Sequence, residues 1–96
     1  MTRVEALKHL SDHRAEIERL GVRSLRLFGS VVRDEARPDS DVDLLVDFEH
    51  PVGLFHFFRV QRRLEEILGA CVDLAMKDAV KPQLRGQILG EAVLAT

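Results

Sequence analysis

The stretch FGSVVRDEARPDSDVDLLV, residues 28–46, sets two acids, Asp41 and Asp43, one residue apart at the head of an apolar run. Successive side chains of a strand point to opposite faces, so residues 41–48 divide cleanly. Val42, Leu44, Val46 and Phe48 fall on one face, and Asp41, Asp43, Leu45 and Asp47 on the other. The first set is a core face. The second puts carboxylates on the back of a core strand, where an unpaired buried charge is costly unless it is paired or given to a metal.

Working outward, residues 24–28 alternate as a short strand with Leu25 and Leu27 on one face, and residues 29–40 form a polar connection carrying Gly29 and Pro38. Before them, residues 2–20 read as one helix, because Val4, Leu7, Leu10, Ile17 and Leu20 recur at helical intervals apart from a gap at His13 and Arg14. Gly21 is its stop. On the other side, Pro51 and Gly53 mark a turn. Residues 54–68 then carry an apolar stripe of Phe57, Val60, Leu64, Ile67 and Leu68, ended by Gly69. Residues 71–76, CVDLAM, form a third strand with Val72, Leu74 and Met76 in one layer and Cys71, Asp73 and Ala75 in the other. A last helix is expected from Pro82, with Leu84, Ile88 and Ala92 as a weak face. Gly86 and Gly90 each cost that helix about 1 kcal/mol.

The element order is α-β-β-α-β-α, an α/β (α+β) arrangement expected to form one domain over residues 1–96. A short connection suits an antiparallel first pair, and a helical crossover makes the second and third strands parallel. The second strand is then central in a three-stranded mixed sheet of order 1-2-3. Asp43 and Asp73 lie on adjacent strands, within reach of one ion if they share a face.

Carboxylate oxygens are the hard ligands that Mg²⁺ and Mn²⁺ prefer. Asp-x-Asp on a strand offers two of them with little backbone freedom to freeze, and an acid on the next strand completes a two-ion site for phosphoryl or nucleotidyl transfer. Read alone, the pair is better explained as a solvated strand start. Gly29-Ser30, at the end of the first strand, adds a glycine that lets a phosphate approach the backbone and a serine with a hydroxyl and an N–H to offer. Arg33 adds charge. Taken singly, Gly-Ser is a plain turn and Arg33 a surface residue.

Composition narrows the field. A net charge of −2 on 96 residues argues against a dedicated nucleic-acid binder, and the absence of Trp and Tyr removes the usual base-stacking platform. No apolar run approaches the ~20 residues of a membrane span, and MTRVEALKHL has no signal-peptide core. One cysteine, Cys71, makes the reducing cytoplasm the default location. His9 and His13, four apart on a helix, lack a third zinc ligand and read as a surface pair. Cys71 reads as a small buried residue, and Arg59, Arg62 and Arg63 as a solvated helix face. Phe55, Phe57 and Phe58 read as core, and an exposed Phe among them would mark a protein interface.

Gly29-Ser30, Arg33, Pro38, Ser40-Asp41-Val42-Asp43-Leu44 and Val72-Asp73-Leu74 together resemble the minimal nucleotidyltransferase family of the DNA polymerase β superfamily. The likeness extends to Lys81-Pro82, Leu84-Arg85, Ile88 and Glu91-Ala92, so it covers nearly the whole chain. It implies the nucleotidyltransferase fold, with Gly29, Ser30, Arg33 and Ser40 holding a nucleoside triphosphate. It also implies Asp41, Asp43 and Asp73 as ligands of two Mg²⁺ or Mn²⁺ ions, with Asp73 additionally a general base. The implied reaction moves AMP from ATP to an acceptor hydroxyl. The chain has no extra domain to grip a nucleic acid or a small molecule, so the expected acceptor is a protein, or a homo-oligomer completes the site. Relatives pair with small helical HEPN-type toxins, which they adenylylate as antitoxins. The alternative is a non-catalytic antitoxin that neutralises its partner by contact. Where many relatives have Arg-Gly, this chain has Arg33-Asp34, which adds negative charge near the triphosphate.

Overall fold

The computed structural model describes residues 2–29, 41–77 and 93–95. The first helix, α1, spans Arg3–Asp12, with the Thr2 hydroxyl accepting from the Glu5 N–H at 3.2 Å as its N-cap. The helix expected over residues 2–20 breaks at His13, whose backbone leaves the helical region (φ −111°, ψ 19°). The His13 N–H donates to Leu10 O, and Nδ1 of its ring bonds to His9 O at 2.9 Å. These two bonds close the last turn of α1, and α2, Arg14–Arg19, starts in a new phase. Within α1 the inward line runs through Ala6 and Leu10, four residues apart, and residue 4 lies about 120° round the helix from Leu10. Ala6, Leu10 and Ile17 are fully buried, whereas Val4, expected in the stripe, is 74% exposed.

Strand β1 is Val22–Phe28, two residues longer at its start than expected, and β2 is Val42–Phe48. Helix α3 is Leu54–Leu68, as its stripe predicts, and it ends where Gly69 (φ +65°) donates its N–H to Glu65 O at 2.8 Å. Strand β3 follows at Val72–Met76. β1 and β2 are antiparallel, β2 and β3 parallel, so β2 is central and the expected order 1-2-3 holds. The sheet continues beyond β1 with β4, Val93–Leu94, antiparallel to it, giving β3-β2-β1-β4. The helix expected from Pro82, with Leu84, Gly86, Ile88, Gly90 and Ala92, lies outside the described residues.

One sheet face forms the core. Leu25, Leu27, Val42, Leu44, Val46, Phe48, Val72 and Leu74 pack there against Ala6, Leu10 and Ile17 and the α3 stripe of Val60, Leu64, Ile67 and Leu68. Phe57 is half-buried against that core, but Phe55 (90% exposed) and Phe58 (53%) are not part of it. At 100° per residue they sit well off the line through 57, 60 and 64, so the reading of all three as core is corrected. Arg63 is also not simply solvated: its Nη2 donates to Glu16 Oε1 at 2.9 Å and its Nε to Oε2, tying α3 to α2. Among the described residues no helix is long and apolar enough to cross a membrane.

Candidate active site

The opposite sheet face carries the chemistry. Cα register pairs Phe28 with Asp43 and Asp43 with Asp73, and directly paired residues project to the same side. Two carboxylates therefore emerge side by side from adjacent strands, spaced by about 4.8 Å of sheet. Asp43, on the central strand, is half-buried, and Asp73, on the outer strand, is exposed. Asp41 is exposed just ahead of β2. Its neighbour Val42 is anchored by an N–H donated to Cys71 O at 2.9 Å. The like-sided placement expected of Asp43 and Asp73 is what the register produces.

Gly29 closes the end of this face. It follows β1 directly and holds φ at +77°, the left-handed region that L side chains avoid. A Cβ there would stand 3.0 Å from Asp43 Cγ and 3.2 Å from its Cβ, and closer still to Oδ2. The Asp43 carboxylate thus occupies the space a side chain at position 29 would need. Glycine is required twice over, for the turn and for the close approach of backbone to carboxylate.

One pair deeper on the same face, Arg26 lies opposite Leu45, and its buried Nε has no hydrogen-bond partner among the described residues. Period-two alternation from Phe28 puts Arg26 on the carboxylate face, a signal available in the sequence but not used there. Leu45 is 2% exposed although it points away from the main core. Cys71, expected to be buried, is exposed, because it precedes β3 on the outer side. His13 uses its ring to cap α1, in keeping with a structural role. At the far end of β2, Arg23 pairs with Asp47 at 3.7 Å in a cleft with Glu49, His50 and Lys77, four residues along the strand from Asp43. Ser30, Arg33, Asp34, Pro38 and Ser40 lie outside the described residues, as do Lys81, Arg85 and Glu91.

The donor set suits a hard divalent ion. Among the described residues, no three His, Cys, Asp or Glu side chains form a ready-made cage. Mg²⁺ does not need one, since it usually takes one or two carboxylates and completes its shell with phosphate and water. The paired aspartates beside a glycine turn fit that pattern.

A mixed sheet of this order, with carboxylates in register on its central and parallel outer strands and a glycine turn against one of them, is the arrangement expected of a nucleotidyltransferase. The nucleotidyltransferase domain profile matches residues 10–95. Protein adenylyltransferase MntA of Thermococcus cleftensis is 47% identical over 85 residues, covering 88% of this chain and 86% of that one. A solved minimal nucleotidyltransferase is 40% identical and superposes with a TM-score of 0.76 over 97% of this chain and 95% of the other. The MNT antitoxin complex with tri-AMPylated HEPN toxin of Shewanella oneidensis shares the fold, with a TM-score of 0.61, 17% identity, and coverage of 90% and 71%. The chain belongs to the nucleotidyltransferase domain family and is a nucleotidyltransferase enzyme, similar to a protein adenylyltransferase.

Proposed function

We propose that this enzyme transfers AMP from ATP to a hydroxyl side chain of a small helical HEPN-type toxin and so acts as its antitoxin. The observation that carries the reading is the Asp43–Asp73 register beside Gly29. It is supported by the 47% identity to a protein adenylyltransferase and by the AMPylated toxin held by a relative of the same fold. Residues 1–96 act as one catalytic domain, and ATP use with a lone thiol suits the cytoplasm.

In this reading Asp41, Asp43 and Asp73 would hold two Mg²⁺ or Mn²⁺ ions, which would supply activation of the attacking oxygen and charge neutralisation on the triphosphate. The chain's own residues do the rest. Gly29 lets the backbone approach the phosphates, and Ser30, Arg33 and Ser40 contact them. Asp73 takes the proton of the acceptor hydroxyl. The acceptor oxygen then bonds to the α-phosphorus, the bond to the β-phosphate oxygen breaks, and pyrophosphate leaves. The exposed Leu54, Phe55 and Phe58 on α3 favour a protein acceptor, because contiguous apolar surface of this kind marks partner contact. Incubation of a HEPN-type helical toxin with enzyme, ATP and Mg²⁺, followed by intact mass, tests the proposal. Silencing of the partner without a gain in mass would support the contact-only antitoxin instead.

A further inference from the structure

Strand β3 is an outer strand, and its first residue is held in an unusual way. Backbone groups of an outer strand point alternately toward the sheet and away from it, and the outward ones lack a ladder partner. The Val42 N–H to Cys71 O bond shows that residue 71 turns its carbonyl toward β2, so Val72 turns its groups outward. Both find side chains of α3. The Gln61 Nε2 donates to Val72 O at 2.9 Å, and the Val72 N–H donates to Glu65 Oε2 at 3.1 Å. Gln61 and Glu65 are one helical turn apart, so they reach the same peptide neighbourhood from one face of α3. Glu65 does more, because its backbone carbonyl also accepts from the Gly69 and Ala70 N–H groups, at 2.8 and 3.3 Å. The whole passage from α3 into β3 therefore hangs on two residues.

The carbonyl that Gln61 holds belongs to the Val72–Asp73 peptide bond. That plane sets the direction in which Asp73 leaves the backbone. We infer that Gln61 and Glu65 are positioning residues for nucleotidyl transfer: they fix the peptide before Asp73 and so aim its carboxylate at Asp43. This rests on the proposed role of Asp73. Side chains make the bonds because β3 is an edge strand of the described sheet, with no strand on its outer side, and a small error in aim is costly when catalysis depends on placement.

The two bonds run in opposite directions, and that gives a discriminating test. Glu65→Gln keeps an oxygen to accept from the Val72 N–H. Gln61→Glu is equally conservative in shape, but it sets a carboxylate against a carbonyl and removes the donor. Gln61→Glu is expected to lower kcat about tenfold with KM for ATP within about twofold, and to weaken Mn²⁺ binding to the nucleotide-free protein about tenfold. Glu65→Gln should stay within about twofold of wild type in both. Gln61→Met, which lacks the repulsive oxygen, should follow Gln61→Glu if placement is the cause. A folded Gln61→Glu and Gln61→Met pair with wild-type kcat and wild-type Mn²⁺ affinity would overturn the inference. The Mn²⁺ titration reads the clamp even if wild type modifies no protein, so failure of the enzymatic reading and failure of the clamp are separate results.

Discussion

Gly29 and Asp43 share one space, and the consequence can be measured at each of them. Gly29→Ala forces a Cβ into the Asp43 carboxylate while holding an L residue at φ +77°. The left-handed penalty alone is about 1–2 kcal/mol, so urea unfolding should show a loss of about 2 kcal/mol or more. A loss below about 0.5 kcal/mol would mean the turn relaxes freely and does not confine Asp43. Asp43→Asn makes the complementary point. It keeps the shape but removes the charge, so transfer should be abolished while the metal-free protein stays folded. A clear drop in melting temperature would show that Asp43 serves the fold rather than the reaction.

The elements are joined by contacts with their own signature. The Arg63 fork on Glu16 links α3 to α2, and hydrogen bonding from that guanidinium holds the Glu16 carboxyl below its ordinary 4.5. A depressed carboxylate contributes stability that is present above its unfolded pKa and lost as pH falls through the folded value. Wild type should therefore lose stability on acidification below about pH 4.5, and Glu16→Gln should remove part of that loss and be less stable near neutrality. Denaturant midpoints between pH 3 and 7 check the sign. An unchanged acid limb in Glu16→Gln would remove the pair from the account. Much at this scale was legible in the sequence. The 57–60–64–67–68 spacing locates α3 at 54–68 because one unbroken amphipathic stripe leaves a single solution. The alternation at 41–48 gives β2 and places Asp43 for the same reason. The break at His13 was not legible, since it rests on a ring reaching back to the His9 carbonyl. Val4 is exposed because α1 turns Ala6 and Leu10 inward, and residue 4 sits well round the helix from that line. β4 is two residues long, too short for periodicity to register. The Gln61–Glu65 clamp depends on where α3 lies over β3, and no spacing rule states that.

Among the described residues two surfaces stand out: carboxylates on one sheet face, and an exposed apolar start to α3 on the helical side. Phe55 and Phe58 contribute little to the core, so Phe55→Ser/Phe58→Ser should leave stability within about 0.5 kcal/mol of wild type. If this surface receives the acceptor, the same variant should raise KM for the protein acceptor about tenfold, the scale of a modest interface residue, while KM for ATP stays unchanged. Steady-state kinetics with each substrate varied in turn separates the two, and an unchanged acceptor KM would place docking elsewhere. The central claim is that paired carboxylates perform chemistry on a protein. Its most direct test is the intact mass of a HEPN-type helical toxin after incubation with Mg²⁺ and ATP, with wild type beside the Asp41→Asn/Asp43→Asn variant. The account predicts added AMP and a silenced partner with wild type, and an unmodified, active partner with the double variant. A partner silenced equally by both, with no added mass, would contradict it.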